Sequence, residues 1–212
     1  ARHGQEEFFG EKTAAKDAAK YRRRGADPMA RSLARRAGAR GVEDASVLEI
    51  GGGVGQVALE LLKAGAESAE VVELLPEYEL FVRELAAEAG VGERISFRTA
   101  DLVAHPAAAA PADLVVLNKV VCCTPDGIEL AGIAASLARR ALVLWSIRRE
   151  SASTPDFCEA RHFAVDQAQA RGDEKQVLHG DSLCSSSSTH SRRSPGWQCS
   201  TRHMASRVLK RT

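Results

Sequence analysis

The sequence predicts an α/β fold built on a doubly wound, mostly parallel sheet. Three observations carry this reading. Short apolar runs alternate with helical stretches between Ser46 and Ile147, the order that βαβ units impose. Two of those runs, Asp113 to Leu117 and Ala141 to Ile147, are apolar almost throughout, as strands covered on both faces are. A glycine cluster, Gly51-Gly52-Gly53-Val54-Gly55, follows the first run and opens a helix. Open α/β sheets receive ligands at such a strand end.

The elements follow in order. Phe8 to Arg24 is rich in Ala, Lys and Arg and reads as a helix. Asp27-Pro28 is an N-cap followed by Pro at the first helical position, starting a helix that stops near Gly38 and Gly41. Ser46 to Ile50 is the first strand, and Gln56 to Ala64 a helix stopped by Gly65. Glu70 to Leu74 is the second strand, and Pro76 to Ala89 a helix closed by Gly90. Ile95 to Thr99 and Asp113 to Leu117 are the third and fourth strands. Ile128 to Arg140 reads as helical, and Ala141 to Ile147 as the fifth strand.

Beyond Glu150 the character changes. Ser, Arg, His and Gln dominate, Ser185 to Ser188 is a serine run, and four of the six His (His162, His179, His190, His203) fall here. Such a segment buries too little apolar area to offset its ordering entropy. The expected organisation is residues 1–45 as N-terminal helices, a lid and a first packing helix; 46–149 as the ligand-binding domain; and 150–212 as a low-complexity, mostly disordered tail.

Totals exclude several function classes. The 212 residues carry a net charge of +1 and an isoelectric point near 7.9, so no long-range field favours nucleic acid or an anionic membrane. No apolar run approaches the roughly 20 residues of a spanning helix. Ala1-Arg2-His3-Gly4 leads into charged sequence without a signal-peptide core, which predicts a cytoplasmic protein. The missing initiator Met suggests a processed or incomplete N-terminus. Five Cys, two of them adjacent and three scattered, read as reduced thiols. Cys158-x3-His162 and Cys199-x3-His203 lie too far apart for a zinc site, so no metal is expected.

Chemistry concentrates at the strand ends. Glycines let the first loop turn tightly and let a ligand approach the backbone. The dinucleotide fingerprint would place Gly at position 56, where Gln56 stands. Glu49, two residues before Gly51, could face a cationic amino group, which S-adenosyl-L-methionine (SAM) has and NAD lacks. Glu73 ends the second strand, where a carboxylate accepts ribose hydroxyls. Asp101, followed by Leu102, could accept from an adenine amino group.

At these residues the chain resembles the class I SAM-dependent methyltransferases, which share a Rossmann-like sheet. Glu49 to Gly55 is similar to their first motif, with Gly51, Gly53 and Gly55 as its glycines. Glu73 is similar to their ribose acid, Asp101-Leu102 to their adenine site, and Asp113 to Cys123 to their fourth strand and following loop. The loop Val121 to Asp126 is distantly similar to that of the magnesium-protoporphyrin O-methyltransferases. The resemblance implies SAM as cofactor, a small-molecule methyl acceptor, and Asn118 beside the cofactor. That family usually completes its sheet with an antiparallel strand pair beside strand five; here the pair reads as missing or degenerate.

Methyl transfer from a sulfonium needs alignment and exclusion of water more than a strong base. Candidates for acceptor-side roles are Asn118, Cys122 and His105, with Lys119 and Cys123 nearby. Tyr21 or an Arg of Arg22 to Arg24 could reach the cofactor carboxylate from the lid helix. Two functions stay open: a methyltransferase on a small acceptor, or a non-catalytic, truncated SAM-binding protein. A dehydrogenase is disfavoured by Gln56 and Glu49.

Overall fold

A computed structural model describes residues 9–149, 158–166 and 177–179. Two helices lead the chain, α1 (Glu11–Arg24) and α2 (Pro28–Gly38). The order continues with β1 (Ser46–Ile50), α3 (Gln56–Lys63), β2 (Ser68–Glu73), α4 (Glu79–Glu88), β3 (Ile95–Thr99) and β4 (Ala112–Asn118). Helix α5 (Gly127–Leu137), β5 (Ala138–Arg149), β6 (Cys158–Asp166) and β7 (Val177–His179) close it. The sheet order is β3-β2-β1-β4-β5-β6-β7. Strands β1 to β5 pair in parallel, whereas β6 and β7 run antiparallel. This is the Rossmann-like α/β sheet that the strand–helix alternation predicts.

Alternation along each strand splits the core into two layers. Val47, Val71, Leu114, Val116, Val143 and Trp145 face α1 to α4. Leu48, Ile50, Val72, Val115, Leu117, Leu142 and Leu144 face α5 and the segment around Leu102 and Ala109. Helix α2 begins as its sequence requires: Asp27 accepts hydrogen bonds from the N–H of Met29 (2.9 Å) and Ala30 (2.8 Å), with Pro28 in the first turn. These bonds satisfy two donors that the helix itself cannot. At the opposite, amino end of the strands, Asp113 accepts from the Ser46 N–H and hydroxyl, each at 3.0 Å.

Two expectations are corrected. Residues Ala138, Arg139 and Arg140 belong to β5, not to the preceding helix, which ends at Leu137. The main-chain pairing that starts at Ala112↔Ala138 outweighs the helical propensity of an Ala/Arg stretch. The antiparallel pair is also present. Strand β6 runs beside β5 in continuous register from Ala141↔Asp166 to Arg149↔Cys158, and β7 adds Phe163↔His179 through Val165↔Val177. Mixed polarity hid β6 from the sequence reading, because an antiparallel strand near a sheet edge needs main-chain partners more than apolar side chains on both faces. The rest of the expected tail lies outside the described residues.

Candidate functional site

The carboxyl ends of β1, β2 and β4 meet at the glycine loop. Gly51, Gly53 and Gly55 have φ of +64°, +54° and +72°. Position 51 is the tightest: a Cβ there would meet Val120 Cγ2 at 2.4 Å, so the loop after β4 lies directly against this turn. The Gly51 N–H donates to the Val72 carbonyl (2.7 Å). Gly52, which sequence reasoning did not single out, is also confined, since a Cβ would lie 2.9 Å from Glu49 Cγ and from Val71 Cγ1. The unbroken triple glycine was the available signal.

Glu49 is turned inward. It is only 1% exposed, and its carboxylate accepts the Ala58 N–H (2.7 Å) and the Val57 N–H (3.4 Å) at the start of α3. Burial pushes its pKa up to about 7; the two N–H bonds oppose this and the nearby Glu73 adds to it. The carboxylate therefore touches the N-terminal turn of α3.

Glu73 is placed differently. Its Oε2 accepts the Gly53 N–H (3.0 Å) and its Oε1 the Leu74 N–H (2.7 Å). Burial raises its pKa, and these backbone donors oppose the rise. The Leu75 backbone N–H also bears on this carboxylate; with about four lone-pair sites, it keeps acceptor capacity for a further donor. Tyr78 is buried with its ring against Gly53, Cε1 lying 3.4 Å from a Cβ built there. Burial, together with Asp17, Glu73 and Glu77, holds the Tyr78 phenol well above its usual range. Asp101 begins the loop after β3 and accepts from the Val103 (3.0 Å) and Ala104 (3.2 Å) N–H groups. Leu102, next in the chain, is buried.

At β4 the row continues. Asn118 Oδ1 and Trp145 Nε1 are both buried without a hydrogen-bond partner among the described residues, and the two residues are register neighbours. One offers an acceptor and the other a donor, a pairing capacity that buried groups rarely leave unused. Lys119, at φ +63°, holds its Nζ 3.5 Å from Asp27 Oδ2 and 5.5 Å from the Trp145 ring centre. The Asp27 N–H donates to Gln56 Oε1 (2.9 Å). Partial burial works against ionised Asp27, but Ala30, Lys119 and Met29 outweigh it and lower its pKa. Sequence reading used Gln56 only to exclude a dinucleotide fingerprint; its contact with Asp27 ties the glycine loop to the start of α2.

The remaining candidates are dispersed. Cys122 and Cys123 sit on the turn after β4, both bonded to the Lys119 carbonyl. His105 is exposed, and its backbone N–H donates to the Asp101 carbonyl. Tyr21 does not reach the glycine loop. Its hydroxyl bonds Glu60 (3.0 Å) and Lys63 (2.8 Å) on α3, while Arg22 pairs with Glu84 and Glu88 on α4. Tyr21 and Arg22 thus fasten α1 to neighbouring helices. Among the described residues no group of three or more His, Cys, Asp or Glu could hold a metal, and no helix is long and apolar enough to cross a membrane.

Residues 47–140 match the family model of a methyltransferase domain. No curated protein sequence matches the chain. Among solved structures it is similar to magnesium protoporphyrin IX methyltransferase from Synechocystis with bound SAM, at 21% identity and a TM-score of 0.51, over 64% of this chain and 76% of that one. It is also similar to an O-methyltransferase family protein from Burkholderia thailandensis, at 20% identity and a TM-score of 0.54, over 69% of this chain and 44% of that one. The chain spans 54% of the Synechocystis enzyme in its SAH-bound structure, about half that protein's length. At these identities the likeness shows a shared fold.

Proposed function

We propose that this chain, whose residues 47–140 match the family model of a methyltransferase domain, is of the class I SAM-dependent type, binds SAM along the carboxyl edge of its sheet and methylates a small-molecule acceptor. The observation that carries this is a row of polar groups along that edge. Glu73 keeps acceptor capacity beside the glycine turn, and Asn118 and Trp145 present an unpaired acceptor and donor at the next strands. The residues fit the cofactor. Glu73 would take the ribose hydroxyls, Gly51, Gly53 and Gly55 would admit the cofactor to the backbone, and Asp101 with Leu102 would border the adenine. Glu49, bonded to α3, would act through its field on the loop above it.

Bound SAM supplies a methyl group already activated on a sulfonium. The protein's task is then alignment and exclusion of water, since in-line displacement is dominated by positioning. Asn118 would orient the acceptor through its buried carbonyl, and Cys122 would border the acceptor side. In this reading the protein works in the cytoplasm without nucleic acid, in keeping with its net charge of +1.

Calorimetry with SAM, S-adenosylhomocysteine and NAD tests the cofactor. The first two should bind and NAD should not; tight NAD binding without SAM binding would sink the proposal. A turnover assay with tritiated SAM then separates an enzyme from a chain that binds the cofactor without using it.

A further inference from the structure

The turn after β4 carries two thiols held side by side. Cys122 Sγ and Cys123 Sγ lie 3.6 Å apart, and both are directed at one carbonyl, Lys119 O, at 3.4 and 3.0 Å. The turn is clamped at both ends. The Cys123 N–H donates to the Val120 carbonyl at 2.8 Å, and Val120 packs where a Cβ on Gly51 would lie. Downstream, a Cβ on Gly127 would stand 2.1 Å from the Val121 carbonyl oxygen, so only glycine lets the chain return so closely.

Two chemistries suit adjacent thiols, and geometry separates them. A disulfide needs sulfurs at about 2.05 Å and Cα atoms at least about 4.4 Å apart, whereas neighbouring Cα atoms are about 3.8 Å apart. Closing a ring here would therefore strain the bond and the clamped turn. Chelation needs no such movement. With metal–sulfur bonds of about 2.3 Å, sulfurs 3.6 Å apart subtend an angle of about 103°, close to tetrahedral. Thiolate ligands select soft ions over hard ones.

We infer that Cys122 and Cys123 form a bidentate dithiolate site for a soft, thiophilic ion of low coordination number, such as a trivalent metalloid. The site stands outside the carboxyl end of β4, next to Asn118 and across from the glycine turn. It does not depend on SAM binding. Its occupant meets the two sulfurs from the protein and completes its coordination from solvent or a small ligand, since no third His, Cys, Asp or Glu joins them among the described residues.

Phenylarsine oxide tests the site on the full chain. The reaction breaks two S–H bonds and forms two As–S bonds. The oxide oxygen leaves as water with both protons, and arsenic stays trivalent throughout. One equivalent should bind, resist excess monothiol and be released by a 1,2-dithiol. Cys122→Ser and Cys123→Ser should each weaken binding about a hundredfold or more, because the second bond is intramolecular in the pair. The triple variant Cys158→Ser, Cys184→Ser, Cys199→Ser should bind as the parent does. Parent-like affinity in either single variant, or loss of binding in the triple variant, would overturn the inference. Far-ultraviolet circular dichroism of each variant separates a lost site from a lost fold.

Discussion

Replacing Glu49 by Gln gives the sharpest test of how the glycine loop is built. Burial holds the folded-state pKa at about 7 against an ordinary 4.5. That gap is worth about 3 kcal/mol, at about 1.36 kcal/mol for each tenfold change in proton affinity. The sign follows from linkage. Below pH 4.5 the group is protonated in both the folded and unfolded chains and contributes no slope. Between 4.5 and about 7 the folded chain keeps a proton that the unfolded chain has lost, so stability falls as pH rises. Above about 7 both states are ionised and the slope ends. The amide of the Glu49→Gln variant cannot titrate, yet it retains an acceptor for the Ala58 N–H. Urea unfolding of parent and variant at intervals from about pH 4.5 to 8 should therefore show the parent losing about 3 kcal/mol relative to the variant across that window. Carboxylates other than Glu73, whose charge couples to Glu49, remain in both proteins and cancel. Parallel stability curves would refute the buried, proton-retaining Glu49.

Three further outcomes are expected. Glu73→Ala should lower SAM affinity at least about tenfold, since charge-assisted hydrogen bonds contribute about 1.5–3 kcal/mol each and about 1.4 kcal/mol is a factor of ten; Asp101→Ala should cost less, and calorimetry compares them. Gly51→Ala should destabilise by about 1–3 kcal/mol through the positive φ and the Val120 contact, measured by thermal unfolding. Asp27→Ala should cost about 0.5–2 kcal/mol by removing the cap of α2, read from denaturant midpoints, whereas Asp27→Asn should recover most of it.

The sheet was legible because period and apolarity report burial directly: Asp113 to Leu117 and the stretch from Ala141 could only be inner strands. Asp27-Pro28 was equally clear, as its cap chemistry is local. Of the candidate site, the placing of Glu49, Glu73, Asp101 and Asn118 at or just after strand ends was legible, and how their side chains point was less so. Glu49 and Glu73 read alike as carboxylates near glycines, and only three-dimensional packing turns one toward α3 and the other toward Gly53. Tyr21 and Arg22 looked available to a ligand because their partners, Glu60, Lys63, Glu84 and Glu88, lie many residues away. Strand β6 was missed because main-chain pairing leaves no mark on composition.

The contrast between the two carboxylates shows how one loop could serve structure through Glu49 and, in the proposed reading, binding through Glu73. They lie on neighbouring strands, with Glu49 beside Val71 in register, and both accept backbone N–H groups, Glu49 from Val57 and Ala58 of α3 and Glu73 from Gly53 and Leu74. The difference is what remains after those bonds are made. Glu49 is 1% exposed and lies close against Gly52, so it is cut off from solvent and its proton affinity rises. Glu73 ends its strand beside the glycine turn, and in the proposed reading its remaining acceptor capacity would serve a hydroxyl-bearing ligand. A side chain at Gly52 would collide with both Glu49 and Val71, so one of them, or the turn itself, would have to move. The turn's glycines thus matter twice. In the proposed reading they would admit a ligand from above, and from below they let a buried carboxylate bond the start of α3.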